Sequence, residues 1–232
     1  KNVNLSIESG KTFGLVGESG CGKTTLGYTL LDLVEKTSGT IKFLGRDIST
    51  FNRKEKTTFR RNCQIIFQDS FSSIDDNFSI FSIIKESLDI HHIGANFEEK
   101  RKIVEDIMRS VGLDVSMKDR KPSTLSGGQR QRVAIAQALV LKPKFIVCDE
   151  IVSALDVMIQ AQILNLLKDL QKKYLLTYLF ISHDLNVVSY MADSIGVMYN
   201  GEIIENDYCE RIINNPKHPY TKQLFESAGI MN

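Results

Sequence analysis

The stretch TFGLVGESGCGKTTL, Thr12 to Leu26, decides the fold. Thr12 to Val16 is a short, mostly apolar run of the kind that forms a strand. GESGCGKT, Gly17 to Thr24, then fits the spacing G-x-x-x-x-G-K-[ST]. From Lys23 onward apolar residues recur at Leu26, Leu30, Leu33 and Val34, which is helical spacing. Strand, glycine-rich loop and helix in that order form a phosphate cradle. The glycines let the backbone wrap an anion with its N–H groups turned inward, and the helix start adds its positive dipole end. In such a loop Lys23 reaches the β- and γ-phosphates of a nucleoside triphosphate, and Thr24 ligates Mg²⁺.

A second element of the same chemistry lies far downstream. KFIVCDE is apolar until it ends in Asp149 and Glu150. Two acids at a strand end are commonly just solvated. In a chain with a phosphate loop they complete a hydrolytic site, Asp149 holding Mg²⁺ and Glu150 polarising the attacking water. Two further polar residues end apolar runs. Gln68 closes QIIFQ, and His183 follows TYLFIS, where it can sense a γ-phosphate and orient water. Either residue alone would read as structural.

TLSGGQRQR, Thr124 to Arg132, is a second anion cradle. Ser126 and two glycines open an apolar-periodic helix, so a hydroxyl and bare N–H groups meet at a helix start. Its simplest reading is a serine-capped helix without a ligand.

Further strands are expected at SGTIKFLGRDI and NCQIIFQ, and a hairpin at IGVMYNGEIIE, turning at Asn200-Gly201. Ile159, Ile163, Leu166, Leu167 and Leu170 mark a long helix, and residues 71 to 140 read as mostly helical. Strands alternating with helices predict an α/β fold with a largely parallel sheet, a small antiparallel part and an inserted helical subdomain. The boundaries expected are a core of about 1–68 and 144–205, a helical subdomain of about 69–143 and a tail of about 206–232.

A formal net charge of +1 gives no global field to draw nucleic acid or an acidic membrane. No apolar run approaches the length of a spanning helix, so any work at a membrane implies docking on another protein. Cys21, Cys63, Cys148 and Cys209 are too dispersed for a metal or redox motif and read as free thiols in a reducing compartment. The chain opens without Met on a strand-like KNVNLSIESGK, from which an upstream segment is expected.

The phosphate loop at 17–24, Gln68, LSGGQ at 125–129, FIVCDE at 145–150, SALD at 153–156 and His183 together resemble the ATPase subunit of an ATP-binding cassette (ABC) transporter. LSGGQ is the most specific of these marks. GESGCGKT, QIIFQDSFSS, SALDVMIQAQILNLL and NNPKHPYTKQLFESA resemble the ATPases of bacterial oligopeptide, dipeptide and nickel importers.

The resemblance implies that two cassettes pack head to tail, as a homodimer or heterodimer. Each ATP then lies between one phosphate loop (Gly17, Glu18, Ser19, Gly20, Cys21, Gly22, Lys23, Thr24 and Thr25) and the other subunit's Ser126, Gly127, Gly128 and Gln129, with Asp156 close by. It implies Lys23, Gln68, Glu150 and His183 as the catalytic set, and Thr24, Gln68 and Asp149 as the Mg²⁺ ligands. It also implies two membrane permeases, an extracytoplasmic substrate-binding protein reached through them, no nucleic acid, and a place on the cytoplasmic face of the bacterial membrane. The groove receiving a permease helix is expected around Phe71, Ile74, Phe78 and Ile80. Soluble ABC ATPases of iron–sulfur assembly or DNA repair are the alternative.

The chain departs from the family at Ile151 and Ser70, where proline is usual, and in lacking the aromatic that stacks adenine ahead of the loop, Phe13 being misplaced for it. Weak base selectivity is expected as a result. With Cys209 alone near the end, no iron–sulfur centre is expected.

Overall fold

The computed structural model describes residues 1–68 and 74–229. Two compact units emerge: Lys1–Phe51 with Val147–Glu150 and Thr177–Asn232, and Asn52–Ile146 with Ile151–Leu176.

In the first unit β1 (Thr12–Val16) is buried along its whole length. It lies between β6 (Thr177–Ile181) and β7 (Ser194–Tyr199), parallel to both, with Phe13 opposite Leu179 on one side and Ser194 on the other. Such strands are covered on both faces, which is why TFGLV and TYLFI carry apolar residues in succession rather than in alternation. β8 (Glu202–Tyr208) returns antiparallel to β7 through Asn200 and Gly201, both left-handed at φ 48 and 85, the backbone of a type I′ turn. β5 (Phe145–Asp149) extends the sheet to the order β5-β6-β1-β7-β8, and β4 (Cys63–Ile66) falls in the second unit. α1 (Lys23–Leu30) follows β1, and α7 (Leu185–Met191) follows β6. The segment expected as one strand around Ile41 is instead a tiny antiparallel pair, β2 (Lys42–Phe43) and β3 (Arg46–Asp47), turning at Leu44 and Gly45. The unit closes with α8 (Cys209–Asn214) and α9 (Pro219–Ser227).

The second unit is mainly helical. α2 (Arg53–Asn62) starts in a capping box, the Asn52 side-chain Oδ1 accepting from Glu55 N–H and the Glu55 carboxylate from Asn52 N–H. α3 (Ile80–Ile90), α4 (Phe97–Ser110) and α5 (Gly127–Leu139) pack on one another, and α6 (Val157–Tyr174) packs on α5. Ile84, Leu88, Val104, Met108, Val133 and Leu139 are almost fully buried there. Ile151 is 2% exposed, so where the family's proline would stiffen the chain, this residue packs as an aliphatic side chain. Ser70 and Phe71 lie outside the described residues. No helix among the described residues is long and apolar enough to cross a membrane.

Candidate functional site

Gly17 leaves β1 so close to Met198 that a Cβ there would stand 2.2 Å from the Met198 carbonyl oxygen, and its φ is 149; only glycine fits. The loop then runs exposed through Glu18, Ser19 and Gly20, with Cys21 half-buried. Gly22 is the N-cap of α1 at φ 108 and supplies no side-chain cap. The first N–H groups of α1 therefore have no side-chain acceptor, as an anion-binding helix start requires. Lys23, 5% exposed, folds back over the loop and donates from Nζ to the carbonyl oxygens of Gly17 (2.8 Å) and Glu18 (2.9 Å). Thr25 faces solvent.

β5 delivers Asp149 into the same unit at 1% exposure. Thr24 Oγ1 donates to Asp149 Oδ1 at 3.1 Å, while Asp149 Oδ2 is buried with no hydrogen-bond partner. Burial raises the Asp149 carboxyl above its ordinary value and the neighbouring Glu150 charge adds to this, against the opposing influence of the Thr24 hydroxyl and the Lys23 ammonium. A buried carboxylate oxygen without a partner, beside a hydroxyl, suits a hard cation that accepts oxygen ligands. No group of three or more acidic, histidine or cysteine side chains gathers as a protein cage among the described residues.

Glu150 sits in the left-handed region at φ 46, held there by its N–H donating to the Ile181 carbonyl at 2.9 Å. Backbone strain of this kind persists only where the surroundings impose it, and it turns the side chain out of the strand direction. Glu150 Oε2 lies 3.2 Å from His183 Nδ1. The histidine is fixed by its neighbours: Ser182 N–H donates to Leu15 O at 3.3 Å, and Asp184 N–H to Ser182 Oγ at 3.0 Å. The first unit thus brings Lys23 and Thr24, at the start of α1, together with Asp149, Glu150 and His183 at the ends of β5 and β6. Phe13, 1% exposed within β1, belongs to the core.

The second cradle belongs to the other unit. Ser126 caps α5 in a reciprocal box, its Oγ accepting from Gln129 N–H and its own N–H donating to Gln129 Oε1. Gln129 is therefore committed to the cap, while the Gly127 and Gly128 N–H groups point out of the first turn. Gly128 has a second reason to be glycine that the sequence does not disclose: a Cβ would stand 2.8 Å from Ile159 Cγ2, where α5 meets α6. Asp156 caps α6, accepting from Ile159 N–H at 3.0 Å, and Gln160 Nε2 donates to the carbonyls of Val152 and Leu155, bracing the SALD loop. Gln68 lies exposed two residues beyond β4.

Residues 1–153 match the ABC transporter family. The oligopeptide transport ATP-binding protein OppF of Bacillus subtilis (strain 168) is 45% identical over 99% of this chain and 75% of its own length. The dipeptide transport ATP-binding protein DppF of Lactococcus lactis subsp. cremoris (strain MG1363) is 47% identical over 97% of this chain and 73% of its own. Among solved structures, cbiO1 from Clostridium perfringens, part of the transporter complex cbiONQ, superposes with a TM-score of 0.82 at 27% identity, covering 99% of this chain and 87% of that one. The dimeric bacterial cassette MJ0796 gives 0.79 at 30% identity over 90% of each chain, and it also has a post-hydrolysis structure bound to ADP and Pi at the same score. With a phosphate loop, an acidic strand end and a serine-glycine-glycine helix start in this fold, and with these similarities, the chain belongs to the ABC transporter family and is one of its ATP-binding cassettes, an ATPase.

Proposed function

We propose that the chain is the ATP-hydrolysing subunit of an importer for oligopeptides, dipeptides or a related small solute such as nickel, driving a separate permease from the cytoplasmic face of the membrane. The observation that carries the chemistry is the buried, half-satisfied Asp149 beside Thr24, with Glu150 and His183 adjacent on the next strand ends. The transport names of the relatives favour this reading over iron–sulfur assembly or DNA repair.

The loop N–H groups from Ser19 to Thr25 and the Lys23 ammonium hold the ATP phosphates. Thr24 and Asp149 would hold Mg²⁺, and the ion when bound would neutralise charge on the phosphate oxygens. Glu150 accepts a proton from the attacking water. His183, whose Nδ1 orients the Glu150 carboxylate, presents its other nitrogen toward the γ-phosphate. Ser126, Gly127 and Gly128 donate to a γ-phosphate held by a second cassette, identical or different, so hydrolysis requires two. Gln129 holds Ser126 in its cap, and Asp156 sets the start of α6 beside that junction. The exposed apolar side chains of the second unit, Phe78 among them, fit a permease helix, a known mode of docking.

Glu150→Gln tests the reading. ATP should still bind while turnover falls about 10²–10⁴-fold, and wild-type turnover in that variant would exclude Glu150 as the base.

A further inference from the structure

A tyrosine from the far end of the chain touches the phosphate loop. The backbone N–H of Glu18 donates to the phenol oxygen of Tyr220 at 3.1 Å. Tyr220 lies in the first turn of α9, and its ring packs against Tyr199, centroids 4.3 Å apart and planes at 38°. Tyr199 follows Met198, the residue whose carbonyl crowds Gly17.

The start of α9 is braced rather than loose. Glu205 on β8 accepts the N–H groups of Lys217 (2.8 Å) and His218 (3.1 Å), and His218 Nδ1 accepts that of Tyr220 (3.1 Å). Phe225 and Thr221 are fully buried and pin the rest of the helix. The phenol is thus placed from two sides, by a stacked ring and by a fixed helix start. Partial burial moves its pKa upward, so it stays protonated at neutral pH and its oxygen remains a neutral acceptor.

The residue it holds is the one where the loop has most to lose. Glu18 is gripped through both backbone groups, its N–H by Tyr220 and its carbonyl by Lys23 Nζ at 2.9 Å. A phosphate that recruits the Lys23 ammonium takes it from that carbonyl. Tyr220 then continues to fix Glu18 while the lysine is engaged. Glycine-rich segments lose more conformational freedom on ordering than any others, so an anchor that acts beforehand lowers the cost of binding.

We infer that Tyr220 is a positioning residue for nucleotide binding: its hydroxyl holds the phosphate loop at Glu18, linking the C-terminal helix to ATP affinity. The inference rests on the ATP-binding reading above.

Tyr220→Phe removes the hydroxyl and keeps the ring against Tyr199. One solvent-accessible hydrogen bond predicts a rise in Kd of about two- to fivefold. The rise should be equal for ATP and ADP, because the loop is ordered in both. Turnover at saturating ATP and the melting temperature should stay at wild-type values, and the Glu18 amide should exchange with solvent faster. Calorimetric titration, a melting scan and amide exchange read these. Wild-type Kd values in Tyr220→Phe overturn the inference whatever the exchange does, and so does a loss of turnover at saturation without a change in Kd. A wild-type protein that binds neither nucleotide removes the ATPase reading and this inference with it, whereas wild-type binding unmoved by the substitution removes the inference alone.

Discussion

Asp149→Asn should make the nucleotide-free protein more stable while removing its activity. Asp149 is 1% exposed, one of its oxygens meets the Thr24 hydroxyl and the other meets no donor. Burial raises its folded pKa above the unfolded value. The sign follows: the unfolded chain ionises this carboxyl more readily than the fold does. Keeping it charged therefore costs stability above the folded pKa, and the cost disappears as pH falls toward the unfolded value of 3.8. A buried polar atom without a partner costs about 1–3 kcal/mol. Asparagine still buries an unpartnered amide group, so the net gain belongs at the lower end, ~1 kcal/mol, or roughly 2–4 °C in Tm for a chain of this size. Melting curves at pH 7.5 should place the variant above wild type, with the gap closing as pH is lowered. Saturating Mg-ATP should reverse the order, since a ligand at 100 times its Kd adds about 2.7 kcal/mol to the wild type and less to a variant without the carboxylate. A variant that melts below wild type without nucleotide, or a gap indifferent to pH, would refute this account of Asp149.

Ser126→Arg, made in the Glu150→Gln background and with the partner ATPase present if that partner is a different chain, should abolish the ATP-dependent dimer seen by sedimentation, because a bulky cation fills the cradle at the start of α5; a tight dimer that survives it would exclude the trans role of Ser126. Gly128→Ala should lower Tm by overpacking Ile159, at about 1–3 kcal/mol, and Ile159→Ala should recover part of the loss; an alanine tolerated at no cost would contradict the 2.8 Å approach. Phe78→Glu, at a side chain 55% exposed, should leave the ATPase activity of the isolated chain intact and uncouple transport in the assembled importer; normal transport would place permease docking elsewhere.

Most of the first unit's site was legible because its signals are local. The loop, its flanking strand and helix, and the acids closing β5 each fall within one short window, and Asn200-Gly201 announces its own turn. The less legible parts depend on contacts between distant residues. The apolar spacing of α1 runs on to Leu33 and Val34, yet the helix stops at Leu30. Asp32 turns left-handed at φ 58, and both later residues are exposed, at 58% and 40%. The β2–β3 turn is made by Leu44-Gly45, which carries no asparagine or aspartate to mark it. Gly128 looked like a phosphate contact alone because Ile159, its steric neighbour, is 31 positions away. Tyr220 gave no signal of its own, since nothing in a linear reading connects it with Glu18.

Lys23 spends its ammonium on the carbonyls of its own loop. Mutagenesis at this position therefore measures an exchange rather than a single contact. Lys23→Ala deletes both the proposed phosphate contact and the internal tie, so any loss of affinity would mix a missing attraction with a newly floppy receptor. Lys23→Arg keeps the charge but presents a broad, planar fork where a compact ammonium bridged two oxygens. Neither substitution yields the strength of the lysine–phosphate interaction directly. Comparing how each changes loop order without nucleotide, by amide exchange at Glu18 and Cys21, would divide the observed defect between recognition and rigidity.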